Sequence, residues 1–589
     1  MNDLTSSQEQ QSFTILRTES AALLQEQSAI ISDKLLNWPV VYLLDNAKRI
    51  YVGETVNFVQ RYHQHAANES KSDLTEIRVI VDDTFNKSVC TDLESKLIRY
   101  FASDTKFEVD NRNFGLVDVN YFNRDSYREH FKEIYGRLRD EGLFNLTITE
   151  IENSEVYKLS PFTALNEGQS EISEMLTSKV ATSLTATGQQ SFIIEGGAGT
   201  GKSVLLTYIA KLFADSNSEM SDFEDDVEVV RLIEVLELQK AVQSKGQKLN
   251  IAVVIPQQSL KATVERIFSK IQNLKDISVL SPLGFGKSDQ FYDVVLVDEG
   301  HRLRRRANSR DNRAIVEINE KLFGKDDNKY TEWDWILAKS KVQIVFIDPS
   351  QRVRPSDLTL EQQYAIINEA KKSNAYFHLS KQERLSKDGA QYIASLSKIL
   401  SPKPDPTYRY KTKGYDLRIY GNLSVMIEDL KELDDSHGLC RLVAGYGYEH
   451  KSKRDRSSFD IEIDGAKLRW NSKRKDWINS VSGFDEVGSI HTVQGYDLNY
   501  AGVIFAPEMS FDNSKNEFRF NKEKYFDSAK NNNRILSEEY DSAYHLELVL
   551  DIYRVLMSRG IKGTFVYCVD KAMRDYLSET FESTVRGGD

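Results

Sequence analysis

The sequence predicts an α/β protein in which a small α+β domain precedes two doubly wound parallel-sheet domains. Three observations carry this expectation. Two β-rich runs, Val40–Leu44 and Arg49–Val52, flank a short polar stretch near the N-terminus. From Ser191 onward, apolar runs alternate with helical segments, the order of a doubly wound fold. Most of these later runs are continuously apolar, as parallel strands covered on both faces are.

The elements follow in order. Residues 1–37 read as a polar lead with some helical character. Asp45-Asn46-Ala47 between the first two runs is a hairpin signal. A helix follows with Thr55 as its N-cap, then strand Ile77–Val81 and helix Ser88–Ala102. The small domain spans 38–122, and the charged, mixed residues 123–160 read as a helical linker. Beyond it, strands are expected at Phe192–Ile194, Asn250–Ile255, Val294–Val297, Val342–Ile347, Arg441–Gly445, Gly502–Phe505 and Gly563–Tyr567. They divide between a domain over 161–400 and another over 401–589, with 214–226 and 508–535 as insertions or mobile loops.

The bulk numbers exclude some classes. At 589 residues the chain is too long for one core. Only ten prolines, and no Gly/Ser tract, argue against flexible tethers. The start, Met1 to Gln11, is polar, and no apolar run reaches membrane-spanning length, so a cytoplasmic protein without a membrane partner is expected. Cys90, Cys440 and Cys568 are widely separated, suit a reducing compartment and read as core residues. The net charge of −12 does not exclude a nucleic-acid partner, because binding follows local fields rather than the sum. Nothing in the sequence bears on oligomeric state.

The clearest chemistry lies in Gly196-Gly197-Ala198-Gly199-Thr200-Gly201-Lys202-Ser203, set between a strand and the helix Val204–Phe213. Such a loop closes backbone N–H groups round phosphates, its lysine neutralises β/γ oxygens, and its hydroxyl is offered to Mg²⁺. A second apolar strand ends in Asp298-Glu299-Gly300-His301. Carboxylates at a buried strand tip need a cation or water to meet them. Asp298 is therefore expected on Mg²⁺, and Glu299 on the attacking water. Together these imply ATP hydrolysis.

Further motifs resemble superfamily 1 helicases, and most closely the bacterial helicase/ATPase family called schlafen group-3-like. The resemblance covers roughly 160–570 and implies two RecA-like domains. Leu165-Asn166-Glu167-Gly168-Gln169 looks like the adenine-reading motif, with Gln169 on the base edge. Asp348-Pro349-Ser350-Gln351 follows a third apolar strand, where the resemblance makes Gln351 the γ-phosphate sensor. Gln382-Glu383-Arg384 resembles an arginine-bearing motif, and His491-Thr492-Val493-Gln494-Gly495-Tyr496-Asp497 the segment coupling nucleic acid to ATP. Arg559, in Tyr553–Gly560, is the implied arginine finger. Two departures stand out: Asp497 replaces a common Glu, and Ser558 and Gly560 flank the finger.

Candidate strand contacts are Arg302, Arg304, Arg305 and Arg306, with Arg310 and Arg313 beyond, directly after the acidic pair. Trp470 and Trp477 stand among Lys467, Arg469, Lys473, Arg474 and Lys475 as stacking platforms do; core tryptophans beside snorkelling lysines explain them equally well.

Residues 38–122 resemble the GIY-YIG nuclease family. The first motif reads Val40-Val41-Tyr42 and the second Tyr51-Val52-Gly53; Arg61 and His65 lie one turn apart on the next helix. Glu94 sits on an apolar helix face between Cys90, Leu97 and Ile98, and Asn111 matches the family's late asparagine. The resemblance implies cleavage assisted by one Mg²⁺ or Mn²⁺ on Glu94, with Arg61 offsetting phosphoryl charge. Tyr51 would take the proton from water, with Tyr42 or His65 as alternatives. Glu54 stands where many relatives carry Lys. The combined expectation is an ATP-driven helicase or translocase with endonuclease activity, favouring DNA over RNA. Foreign-DNA restriction or phage defence is its setting by analogy. An RNA-directed helicase-nuclease, or an ATPase switch whose nuclease-like domain only binds, are the alternatives.

Overall fold

The computed structural model describes residues 13–18, 29–66, 71–111, 121–218, 229–306, 311–380, 387–471, 477, 484–493, 497–527 and 542–587. The chain divides into two compact units. One takes residues up to 187 with 203–251 and 262–279; the other takes 188–202, 252–261 and 280–589.

In the first unit, β1 (Phe13–Thr18), β2 (Val40–Asp45), β3 (Arg49–Thr55), β4 (Glu76–Asp82) and β5 (Glu108–Val109) form one sheet in the order β1-β4-β2-β3-β5. β2 and β3 make the expected hairpin, with Val41 opposite Glu54 and Tyr42 opposite Gly53. Its turn is closed by Asn46, whose Oδ1 accepts the backbone N–H groups of Lys48 and Arg49 at 2.8 Å each. Helices α1 (Ala29–Asn37) and α2 (Phe58–Ala66) bring Leu35 and Phe58 onto the face that holds Tyr42, Leu44 and Tyr51. Helix α3 (Lys87–Asp104) packs on β2 and β3 and is capped by Asn86, which accepts from Val89 N at 3.2 Å.

Three expectations are corrected here. The lead contains a strand, because Phe13-Thr14-Ile15-Leu16 adds to the edge of β4 and buries Phe13 and Leu16. Helix α2 is capped by Asn57, which accepts from Gln60 N at 2.9 Å, while Thr55 Oγ1 accepts from Asn57 N. Residues 123–160 are not a free linker. Their helices α4 (Arg124–Asp140), Ile148–Asn153 and Glu155–Lys158 are bound to α3 through aromatic stacking of Phe144 on Phe101 at 4.2 Å, and by Tyr100 donating to Glu152 at 2.8 Å.

A six-stranded sheet runs β11-β6-β10-β9-β7-β8, built from β6 (Gln190–Gly196), β7 (Ile251–Val254), β8 (Ser278–Leu280), β9 (Tyr292–Val297), β10 (Ser340–Ile347) and β11 (Tyr376–Leu379). β6, β9, β10 and β11 are mutually parallel where they pair, so their C-terminal tips share one edge. An eight-stranded sheet runs β14-β15-β16-β13-β17-β20-β12-β21. Its strands are β12 (Asp416–Tyr420), β13 (Cys440–Ala444), β14 (Ile461–Ile463), β15 (Ala466–Trp470), β16 (Glu486–Gly488), β17 (Leu498–Phe505), β20 (Gly560–Cys568) and β21 (Val585–Arg586). All its pairings are parallel except the edge hairpin β14–β15. All seven sequence-expected strands are present. Within 508–535, β18 (Met509–Asp512) and β19 (Glu517–Phe520) form an antiparallel hairpin, so this part is ordered structure rather than a loop. The three cysteines are buried free thiols. Among the described residues, no helix is long and apolar enough to cross a membrane.

One buried carboxyl stands just before β18. Glu508 Oε1 accepts from Tyr553 Oη at 2.8 Å, and Tyr553 Oη accepts from Ala506 N at 2.9 Å. Burial pushes the Glu508 carboxyl up to about 7 from its ordinary 4.5, against the smaller opposing effect of the Tyr553 hydrogen bond. A raised folded-state value means that stability is complete below the ordinary value and is lost as pH rises through the folded one. Thermal unfolding between pH 4.5 and 7 should therefore show a falling contribution from this group. Glu508→Gln should flatten that dependence while leaving the other carboxylates' contributions in place.

Candidate active sites

The loop after β6 enters helix α5 (Lys202–Ser216) through Gly199 and Gly201, at φ 76 and 77, the left-handed region that glycine enters without strain. Lys202 is buried, and its Nζ donates to Gly196 O at 2.7 Å and Gly197 O at 2.8 Å. The same Nζ lies 3.8 Å from Asp348 Oδ2 at the tip of β10. Asp348 Oδ1 accepts from Ser350 N and Oγ, and Oδ2 accepts from Gln351 Nε2. Arg559 Nη2 donates to Gln351 Oε1 at a long 3.5 Å, and its Nε donates to Val555 O at 3.1 Å. A polar chain thus runs Lys202, Asp348, Gln351, Arg559, from the first sheet's strand tips to the residue before β20.

Asp298 and Glu299 end β9, between the tips of β10 and β7. Both are buried, and Asp298 Oδ1 accepts from Glu299 N at 2.9 Å. Glu299 Oε2 lies 2.8 Å from His301 Nε2 and 3.4 Å from Arg302 Nε. Burial opposes the Glu299 charge, but Arg302, then His301 and Lys202, hold its carboxyl well below the usual range. His301 Nδ1 accepts from Asp348 N at 3.2 Å, which places the ring proton on Nε2, facing Glu299. One imidazole therefore ties two strand tips together. Sequence reasoning named His301 only as part of the acidic motif and left Asp348 out of the site. The signal for both was their place immediately after apolar strands.

The arginine run is not the exposed track that the sequence suggested. Arg302 is buried against Gln257 and Glu299. Arg304 pairs with Glu332, Arg305 donates to Pro355 O and Asp357 O, and Arg306 is buried against Asn312 and Asp326. Apart from Glu299, these partners lie six or more residues away in sequence, so the run looked solvated on paper. Trp470 and Trp477 are 3% exposed and belong to the core of the second sheet, the bland reading of their surroundings. Gln169 is buried in the first unit, where its Oε1 accepts from Asn166 N at 3.1 Å in a capping box. Arg310, Arg384, Lys473, Arg474, Lys475 and Gln494 lie outside the described residues.

In the N-terminal sheet, Tyr42, Tyr51 and His65 meet. Tyr42 Oη and His65 Nε2 are 2.7 Å apart, and the Tyr51 and His65 ring centroids 5.0 Å. Lys71, which the sequence did not single out, brings its Nζ to 3.3 Å from His65 Nδ1 and 3.6 Å above the Tyr51 ring. Arg61 donates to Gln64 Oε1 at 3.2 Å one turn along α2. Asn111 clamps β3, accepting from Val52 N at 3.0 Å and donating to Val52 O at 2.6 Å. Alternation along β3 sends Tyr51 and Glu54 to opposite faces, and Glu54 pairs with Lys87 of α3. Glu94 rides on that same helix, four residues from Cys90, whose thiol burial first, and then Glu54 and Glu94, push up. The structure therefore groups the aromatic residues on one face, while Glu54 of β3 points to the other face and pairs with Lys87 of α3, the helix that carries Glu94. Among the described residues, no group of three His, Cys, Asp or Glu side chains is placed to hold a metal.

Comparison with known proteins adds three results. The model of the family described as Schlafen group 3, DNA/RNA helicase domain, matches residues 189–570. The uncharacterized protein YPL245W of Saccharomyces cerevisiae is 26% identical over 417 residues, covering 66% of this chain and 83% of that one. Among solved structures, an arterivirus nonstructural protein 10 (helicase) in complex with DNA is 11% identical, covers 68% of this chain and 65% of its own, and has a TM-score of 0.25. That match spans a little under two thirds of the arterivirus protein. A Pif1 helicase from Bacteroides, in complex with ADP-AlF3 and ssDNA, is 11% identical and covers 66% of this chain and 91% of its own at a TM-score of 0.24.

The hairpin offers one structural test. A Cβ on Gly53 would lie 2.4 Å from Tyr42 Cζ and Oη, so Gly53 makes room for the ring that reaches His65. Gly53→Ala should destabilise the N-terminal sheet by about 1–3 kcal/mol, read as a lowered thermal midpoint. In a Tyr42→Ala background the added cost of Gly53→Ala should be smaller, read by a double-mutant cycle.

Proposed function

The chain belongs to the Schlafen group 3, DNA/RNA helicase domain family, and from that premise we propose that it hydrolyses ATP and uses the cycle to move along or unwind a nucleic acid, DNA in preference to RNA. The observation that carries this reading is the polar chain Lys202–Asp348–Gln351–Arg559. Lys202 exchanges its loop-carbonyl partners for β/γ-phosphate oxygens. Gln351, bonded to Asp348 through its amide nitrogen, presents its oxygen side to Arg559 and senses the γ-phosphate. Arg559 supplies positive charge to the transition state, an effect typically worth about 10³–10⁵ in rate. Glu299, held as a carboxylate by Arg302 and His301, orients and deprotonates water. Ser203 and Asp298 offer hydroxyl and carboxylate oxygens, a donor set that suits Mg²⁺. The ion, when bound, draws charge from the phosphate oxygens.

Lys202→Ala should eliminate ATP turnover stimulated by DNA or RNA, measured as phosphate release with and without an oligonucleotide. Continued stimulated turnover would reject the phosphate-loop assignment.

For residues 38–122 the same proposal includes metal-dependent phosphodiester cleavage, with Glu94 as ligand of Mg²⁺ or Mn²⁺ and Arg61 on the phosphoryl oxygens. Tyr51, Tyr42 or His65 takes the water's proton. The contact of Tyr42 with His65 supports it, since a phenol loses a proton more readily beside an imidazole. A second reading, in which this domain binds nucleic acid without cutting, is favoured by the engagement of Asn111 with β3 and by Glu94 riding on the helix over the other face. Glu94→Ala separates the two. Loss of Mg²⁺- or Mn²⁺-dependent nicking of DNA or RNA, with ATP turnover spared, supports the nuclease; unchanged nicking removes Glu94 from it.

A further inference from the structure

Arg302 is 5% exposed, yet it is incompletely satisfied. Its Nη1 donates to Gln257 Oε1 at 2.8 Å, and its Nε stands 3.4 Å from Glu299 Oε2 as an ion pair. Nε and Nη2 find no hydrogen-bond acceptor among the described residues. Unmet donors on a buried guanidinium are costly, and such exceptions call for a reason. Glu299 is itself strained, at φ 50 and ψ 47. A non-glycine residue held there is strained, and such strain clusters at switching and catalytic positions.

The charges facing Arg302 form a buried series. Glu299 and Asp298 at the end of β9, and Arg354 and Asp357 from the loop after β10, all act on its charge. Asp357 Oδ2 accepts from Arg354 N at 2.9 Å, while its Oδ1 is buried without a hydrogen-bond partner. Arg354 reaches outward, with Nη2 3.5 Å from His491 Nδ1, at the head of the short helix Ile490–Val493. An unmet donor pair on Arg302 and an unmet acceptor on Asp357 thus stand on the same series. A small displacement of Arg354 bears on both.

We propose that Arg302 is a positioning residue that holds Glu299 in an ion-paired, idle setting, and that nucleic acid acting on the His491 segment shifts Arg354, draws Arg302 to Asp357 and frees Glu299 for water. The inference rests on the role given to Glu299 in the proposed function. It gives the stimulation of ATP turnover a two-position element. In one position the guanidinium faces Glu299; in the other it satisfies the Asp357 oxygen that now lacks a donor. No proton or bond changes hands in the switch; only the ion pair is exchanged.

The test is steady-state ATP hydrolysis by the full chain, with and without a single-stranded DNA oligonucleotide, for wild type, Arg302→Gln and Arg302→Lys. Arg302→Gln should raise the rate without DNA and reduce the stimulation ratio by about fivefold or more, with KM for ATP unchanged. Arg302→Lys, which keeps the charge, should restore most of the ratio. A change in both rates by one factor, or an unchanged ratio, overturns the proposal while leaving the helicase reading intact. Wild-type turnover that ignores both DNA and RNA overturns that reading and this inference together. Should Arg302→Gln fail to fold, Asp357→Asn decides the matter. It should lower only the DNA-stimulated rate, and a proportional fall in both rates overturns the switch.

Discussion

Charge at the tips of buried parallel strands must be met by charge, and the second unit is arranged around that requirement. β6, β10 and β9 lie side by side with their C-terminal ends on one edge. Lys202, Asp348, Asp298 and Glu299 follow directly, all nearly inaccessible to water. Each charge alone would carry a desolvation penalty of several kcal/mol. Together they are reciprocal: lysine beside Asp348, Glu299 beside His301 and Arg302, and His301 accepting from the backbone of Asp348. The imidazole is the joint.

That constraint also sorts what was readable in the sequence. Continuous apolar runs became β6, β9, β10 and β13 within a residue or two, because burial on both faces leaves no room for polar alternation. The glycine loop was readable because its chemistry is set by local spacing. Arg302 to Arg306 were misread for the opposite reason. Nothing local distinguishes an arginine whose carboxylate arrives from Glu332 or Asp326 from one that faces solvent. β1 was missed because six residues in a polar lead carry too few apolar positions to show a period, and their partner, β4, lies about sixty residues on. Trp470 presents the same lesson in aromatic form: its ring meets Tyr446 at 4.9 Å and His450 at 5.6 Å, both brought there by the fold.

In the N-terminal sheet, the sequence gives the residues but not their faces. The hairpin register follows from the turn at Asn46, and once it is set, alternation assigns every side chain. Tyr42, Tyr51 and the ring of His65 then fall together beneath α2, with Lys71 closing over them. Glu54 falls on the other side with Lys87. At this strand position the chain places a carboxylate and draws a lysine from α3. The pair keeps the local charge near neutral, and it ties α3, the helix bearing Glu94, to β3. The placement of Glu94 therefore depends on how that pair orients α3.

In the proposed function, the two parallel sheets would contribute to a nucleotide site from opposite ends of their strands. The first offers C-terminal tips, where a loop and a helix start can receive phosphate. The second offers Arg559, which precedes β20 and whose carbonyl accepts from Leu498 N at the start of β17. An arginine at a strand's beginning is anchored by the sheet behind it and reaches away from it. Here it reaches Gln351, which is already bonded to Asp348, itself next to Lys202. A charge arriving at Lys202 would compete with Asp348 for the ammonium, loosen the hold on Gln351 and be felt at Arg559 without any long side-chain pathway. Three adjacent contacts are enough to connect the two sheets, and the last of them, Arg559 to Gln351 at 3.5 Å, is the one that crosses from one sheet to the other.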